Sequence, residues 1–185
     1  MKAVAATIRL SASDLSNHLV CRHLTNLDLE VAQGVRTAAT WNSPDAWVLQ
    51  QRGMEHENAY LEYLKAQGVA VVDLRNIEND KSAIEETTRA MHNGAQAIAQ
   101  ATLSNGRWFG RADVLRRVER ASNLGDWSYE VYDCKLAHDT KAATILQLSL
   151  YSELLNGIQG ALPESMYVVP PGVTFHAEQY RFLDY

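Results

Sequence analysis

Trp127-Ser128-Tyr129-Glu130-Val131-Tyr132-Asp133-Cys134-Lys135-Leu136-Ala137 is the stretch whose reading decides the fold. It is rich in aromatic and β-branched residues and follows a polar turn at 122–126, so it predicts a β-strand. Side chains alternate across a strand. Asp133 and Lys135 therefore share one face, and Glu130, Tyr132, Cys134 and Leu136 share the other. An acid and an amine two residues apart on a central strand are costly to bury without a purpose. On this strand alone, a salt bridge at a solvent-facing sheet edge explains them equally well.

The preceding segment adds a second acid. Gly110-Arg111-Ala112-Asp113 sets a carboxylate inside an apolar run, behind a hairpin signal at Asn105-Gly106. If the two strands pair across the 122–126 turn, Asp113 and Asp133 come together. Two such carboxylates repel unless they are protonated or bridged by a cation. A hard divalent ion, Mg²⁺ or Mn²⁺, suits oxygen ligands. With Lys135 beside it to orient a water, such a site holds the parts for phosphodiester hydrolysis.

Downstream, residues 141–155 predict a helix stopped at Asn156-Gly157, with Leu146, Leu150 and Leu154 facing the sheet. Gln147 and Tyr151, at i and i+4, share a neighbouring face. Strands at 166–169 and 174–182 flank the Pro170-Pro171-Gly172 turn. Upstream, residues 13–31 predict one helix, capped by Ser11 or Ser13 and stopped at Gly34. A second runs from Ser43-Pro44-Asp45 through Trp47, Leu49, Tyr60, Leu61 and Leu64 to Gly68, and carries His56. A buried strand at 69–74 and a helix over 80–99 follow. The order predicts a layered α/β or α+β domain with a mixed sheet.

Composition narrows the class. The chain has 185 residues, 46% of them hydrophobic and 21% charged, enough for one domain with a buried core. No apolar run reaches the roughly 20 residues that cross a bilayer, and the start does not read as a signal peptide. The expectation is a cytoplasmic protein without a membrane partner. A net charge of −5 argues against bulk electrostatic coating of nucleic acid. It leaves room for an enzyme that meets phosphates through bound cations.

Gly110-x-x-Asp113, Asp133-x-Lys135 and Gln147-x-x-x-Tyr151, in that order and spacing, resemble the RecB-like branch of the PD-(D/E)XK nuclease superfamily. The likeness extends from about Ser11 to Tyr185. It is closest to RecB-like nuclease domains at the N-terminus of larger proteins, often joined to helicase or RNase H-like modules. The resemblance implies a restriction-endonuclease-like α/β core, a mixed sheet flanked by helices, with an N-terminal helical extension. The whole of 1–185 would be one nuclease domain, truncated at its C-terminus. By the same analogy Asp113 and Asp133 are metal ligands, Lys135 is the catalytic lysine, and Gln147 and Tyr151 contact DNA or steady the site. His56 would be a further ligand, although many relatives place three residues between the helical Gly and His where Gly53-Met54-Glu55-His56 has two. The implied activity is metal-dependent cleavage of DNA, as an exonuclease on single strands in repair or recombination. The alternative is a catalytically silent nucleic-acid-binding or scaffolding module of a larger helicase-nuclease protein.

Some RecB-like nucleases hold a 4Fe–4S cluster with one cysteine on an N-terminal helix and three near the C-terminus. Cys21 stands where the first would be, and the other three are missing. A cluster is thus expected only in a longer parent chain; otherwise Cys21 is a buried thiol. Cys134, between Asp133 and Lys135, reads as a small core hydrophobe.

Overall fold

The computed structural model describes residues 1–4, 7–39, 44–172 and 174–185. A mixed six-stranded sheet flanked by helices forms the body of the protein. A small antiparallel pair, β1 (Lys2–Val4) and β2 (Thr7–Arg9), precedes it. The sequence reading assigned no structure to this pair.

Two helices replace the single one expected over 13–31: α1 (Ala12–Val20) and α2 (Arg22–Ala32). Cys21 divides them in extended backbone, at φ −156° and ψ 108°. Its N–H donates to Asn17 O, closing α1, and its carbonyl accepts from Leu24 N, opening α2. The Cys21 side chain is exposed, which corrects the expectation of a buried thiol.

The long helix α3 (Pro44–Ala66) buries Tyr60, Leu61 and Leu64, while Trp47 and Leu49 nearer its start stay exposed. Ser43, offered as part of its start signal, lies outside the described residues. The short strand β3 (Val71–Asp73) is not buried as expected, because it is an edge strand paired on one side only. Asn79 Oδ1 accepts from Ser82 N and starts α4 (Asp80–His92). That helix ends well short of residue 99, because Gly94 takes a left-handed φ of +69°. Residues from 97 onward form β4 (Ala97–Ser104). Ala97, Ile98 and Ala99 are all fully buried, and a strand covered on both faces has no alternation to betray it.

Strand β5 (Phe109–Val118) returns from the Asn105-Gly106 hairpin, with Asn105 Oδ1 accepting from Trp108 N. Strand β6 (Ser128–Cys134) follows the polar turn. Helix α5 (Ala142–Gln159) overruns the stop expected at Asn156-Gly157 and ends at Gly160, φ +63°. Asn156 contributes a carbonyl to that cap, accepting from Gly160 N. Strand β7 (Ser165–Val169), strand β8 (Glu178–Arg181) and a short 3₁₀ turn (Phe182–Asp184) complete the chain.

The strand order is β3-β4-β5-β6-β7-β8. Pairs β3–β4 and β6–β7 are parallel and the other three antiparallel. Helix α5 is the crossover that a parallel β6–β7 pair requires. Ile98, Leu115, Val131 and Met166 pack with Met91 of α4 and Leu148 and Leu155 of α5 on one face. Ala97, Ala99, Val114 and Val169 meet Tyr60, Leu61 and Leu64 of α3 on the other. The expected stripe on α5 is rotated. Ile145, Leu148, Tyr151, Leu154 and Leu155 are buried, whereas Leu146 and Leu150 are half-buried. Because α5 is apolar on most sides, its sequence alone did not fix which side meets the sheet. Among the described residues no helix is long and apolar enough to cross a membrane.

Candidate active site

Strands β5 and β6 part where the acids stand. Their ladder runs from Val118↔Ser128 to Val114↔Tyr132 and goes no further. Beyond that point β5 continues against β4, as far as Ser104↔Phe109. β6 continues against β7, through Cys134↔Val169 and a Lys135 N–H bond to Val169 O. The divergence leaves the Cys134 N–H without a strand partner, and Asp113 Oδ2 accepts it at 2.8 Å. A side chain thus does the work of the missing ladder rung, and the cleft between the strands gains a carboxylate on its floor.

Asp133 is the other wall. It is fully buried on the α5 side of the sheet, as Val131 two residues before it is. Gln147 Nε2 of α5 donates to its Oδ1 at 2.9 Å. Lys135 Nζ stands 2.7 Å from its Oδ2, in an ion contact off the hydrogen-bonding direction, so the buried Oδ2 makes no hydrogen bond. The same ammonium is 3.4 Å from Gln147 Oε1. Gln147 therefore uses both ends of its amide to fix the acid and the amine. The Lys135 side chain keeps 31% of its surface exposed, so this cluster reaches solvent through the lysine.

The electrostatics follow from burial. Asp113 is pushed up to about 8, first by burial and then by the charge of Asp133, with the Cys134 N–H opposing. Asp133 is also raised by burial, against the pull of Lys135. A pair so placed holds a proton near neutrality unless a cation displaces it. Burial likewise drives the Cys134 thiol up, keeping it an uncharged part of the cluster under α3.

Tyr151 is buried in the core on the α5 side, with its ring over Gly110. A Cβ on Gly110 would lie 2.1 Å from Tyr151 Cε1 and 2.8 Å from Cζ, so only glycine fits there. Burial and the two aspartates raise the Tyr151 hydroxyl to about 12, which keeps it a neutral donor beside the acids. Asp113, Asp133, Lys135 and Gln147 thus come together, with Tyr151 packed behind them.

His56 is placed differently. It packs on the α3 side, stacked on Phe175 with ring centroids 5.8 Å apart, and its Nε2 donates to Val169 O at 2.9 Å. The same Val169 carbonyl accepts from Lys135 N, so His56 is tied to the strand end that carries the lysine, while Asp133 faces the α5 side. Among the described residues no three His, Cys, Asp or Glu side chains gather in a metal-holding group. His56 is thus not grouped with the two aspartates among the described residues, and its ligand role rests on the resemblance alone. Its neighbour Glu57 is the acid of α3 that reaches the site, adding to the upward push on Asp113 and accepting from Gln100 Nε2 at 2.9 Å. Gln100 holds a left-handed φ of 54° inside β4. No sequence signal marked Glu57, because its approach depends on that backbone kink.

A cavity of about 310 Å³ adjoins this corner, lined by Met54, Glu57, Asn58, Arg75, Gln100 and Arg111. Arg75 pairs with Asp73 at 2.8 Å. Arg111 donates to Ile77 O and has no carboxylate partner within ion-pair distance among the described residues. No family model matches this chain, and no curated protein matches it.

Proposed function

We propose that this chain is a metal-dependent nuclease of the RecB-like PD-(D/E)XK type, hydrolysing phosphodiester bonds of DNA. One observation carries the reading: a buried aspartate, a half-buried one and a lysine meet where β5 and β6 diverge, with the Lys135 ammonium 2.7 Å from Asp133 Oδ2. Two acids set this close repel unless they share a proton or a cation bridges them. A Mg²⁺ or Mn²⁺ ion fits the donor set, because Mg²⁺ is commonly held by one or two carboxylates and keeps waters for its other positions. Asp113 and Asp133 would hold it, and it would supply charge stabilisation at a phosphoryl oxygen and a more acidic water.

The side chains have separable tasks. Gln147 fixes one oxygen of Asp133, and the other, now met by the Lys135 ammonium, is the one a cation would share. Lys135, anchored to Asp133 and partly exposed, can orient an attacking water, and its positive charge favours the hydroxide left when that water gives up its proton. Arg111 and Arg75 offer guanidinium groups to a phosphate entering beside Glu57.

The test is incubation of the purified chain with end-labelled single- and double-stranded DNA in Mg²⁺, Mn²⁺ or EDTA. Cleavage in either metal, lost in EDTA and in Asp133→Asn, is expected. DNA left intact in both metals would remove the catalytic reading. The silent-module alternative draws support from the absence of a three-donor group among the described residues. It would show as DNA binding without cleavage.

A further inference from the structure

A larger cavity, about 460 Å³, lies at the other end of the sheet and on its other face. It is lined by Arg120, Ser165, Gln179 and Arg181, with Leu162 and Leu183 among its apolar walls. In the sheet register Arg181 sits opposite Ser165, and Tyr167 opposite Gln179. Tyr180, between Gln179 and Arg181, packs into the core on the α5 side, so the two polar residues point to the opposite side from Asp133. Ser165 precedes Met166, the partner of Val131, which sets the cavity about three residues, or roughly 10 Å, along the strand from Asp133. It is thus separate from the carboxylate site and independent of the nuclease reading.

We propose that this cavity binds a phosphomonoester carried on an apolar or aromatic body, the chemistry shared by a free nucleotide and the phosphorylated end of a nucleic-acid strand. In a chain of net charge −5 it gathers two guanidinium groups. Arg181 projects from a paired strand and has no ion-pair partner among the described residues. Among the described residues Arg120 pairs only with Glu164, itself a wall of the cavity, at 3.5 Å, whose side chain is 75% exposed and free to swing away. Two planar guanidinium forks match a phosphate dianion better than a single carboxylate. The other acid nearby, Glu130, is buried and already accepts from Ser165 N at 3.0 Å, so it does not reach the ligand space.

The remaining walls fit the body of such a ligand. Gln179 Nε2 donates to Ser165 Oγ at 2.8 Å, which fixes the amide and leaves its oxygen to accept from a base N–H. Leu183 is 75% exposed at the rim, an apolar surface that core packing does not explain. A cavity of this size falls in the ordinary range for small-molecule sites.

The experiment titrates the full chain in EDTA, which silences the metal site, with AMP, adenosine, benzoate, and a trinucleotide bearing or lacking a 5′-phosphate. AMP is expected to bind with a dissociation constant of about 1 mM or tighter. Arg181→Glu should weaken it roughly tenfold or more, through loss of a charge-assisted contact, while Asp133→Asn leaves it unchanged. Should Arg181→Glu not fold, Arg120→Ala carries the same expectation. A 5′-phosphorylated trinucleotide that binds at least as tightly as AMP identifies a strand end; binding of AMP alone identifies a free nucleotide. Adenosine or benzoate binding as well as AMP, no AMP binding, or a folded arginine variant that binds AMP like wild type would each overturn the proposal.

Discussion

Asp113→Asn gives the sharpest test of the carboxylate pair, because it removes a charge and keeps the shape. The amide oxygen can still accept from Cys134 N, so the strand divergence is preserved. In the folded chain Asp113 is pushed up to about 8 by burial and by Asp133, whereas an unfolded aspartate titrates at about 3.9. Between those values the folded state binds a proton that the unfolded state has released. Stability from this group is therefore complete below about pH 4, falls as pH rises through the window, and levels off above about 8. The full displacement corresponds to at most about 6 kcal/mol. Partial exposure of Asp113 and sharing of the proton with Asp133 reduce the expected loss to about 1–3 kcal/mol. The variant should match wild type near pH 4 and exceed it by that amount at pH 8.5 in EDTA. Urea melts at five pH values read the difference directly. Mn²⁺ added at pH 8.5 should raise the melting temperature of wild type and leave the variant nearly unmoved. Parallel pH profiles for the two proteins would refute the argument, showing that Asp113 titrates alike in the folded and unfolded chain.

Three further outcomes follow from the same corner. Lys135→Ala should cut cleavage by on the order of a hundredfold or more while Mn²⁺ binding by calorimetry stays nearly intact, and Lys135→Arg should not rescue it. Equal cleavage by wild type and the alanine variant would make the lysine a mere salt-bridge partner. Gly110→Ala drives a methyl into the Tyr151 ring and should cost about 1–3 kcal/mol in a chemical melt; Tyr151→Leu should return part of that in a double-mutant cycle, and strict additivity would deny the contact. Gln147→Ala strips the hydrogen bond from Asp133 Oδ1 and should destabilise the chain by about 1–3 kcal/mol, a loss that an unchanged unfolding midpoint would contradict.

What could be read in the residues depended on how local the cause was. The pairing of Asp133 with Lys135 follows from a two-residue period, and the structure holds them 2.7 Å apart. The Asn105-Gly106 hairpin was legible for the same reason, since two residues fix its turn. Long-range effects were not. Ala97 and Ile98 look helical after α4 because strand burial on both faces erases alternation. The break at Cys21 lies in a segment whose leucines fit one continuous helix. His56 stands out in the sequence as an imidazole and Glu57 does not, yet neighbouring residues on a helix point about 100° apart. Only the α3-to-sheet packing decides which of them meets Asp113.

The parting of β5 and β6 links these observations, and it was invisible in the sequence. Each strand is satisfied on its far side, β5 by β4 and β6 by β7, so the sheet can open between them without orphaning a whole edge. The Cys134 N–H loses its strand partner there, and Asp113 takes it. That bond fixes one oxygen of Asp113, as Gln147 fixes one oxygen of Asp133. Each acid therefore has one oxygen committed to the scaffold, while the other faces its neighbour acid or the lysine. Side chains held in this way need little rearrangement when a cation arrives, which is the condition for electrostatic preorganisation. Gly110 extends the logic. By lacking a side chain it admits the Tyr151 ring against β5, and that ring seals the cleft floor three residues before Asp113. The glycine, the aspartate and the tyrosine thus act as one packed unit, so a change at Gly110 should reach the carboxylates without touching them.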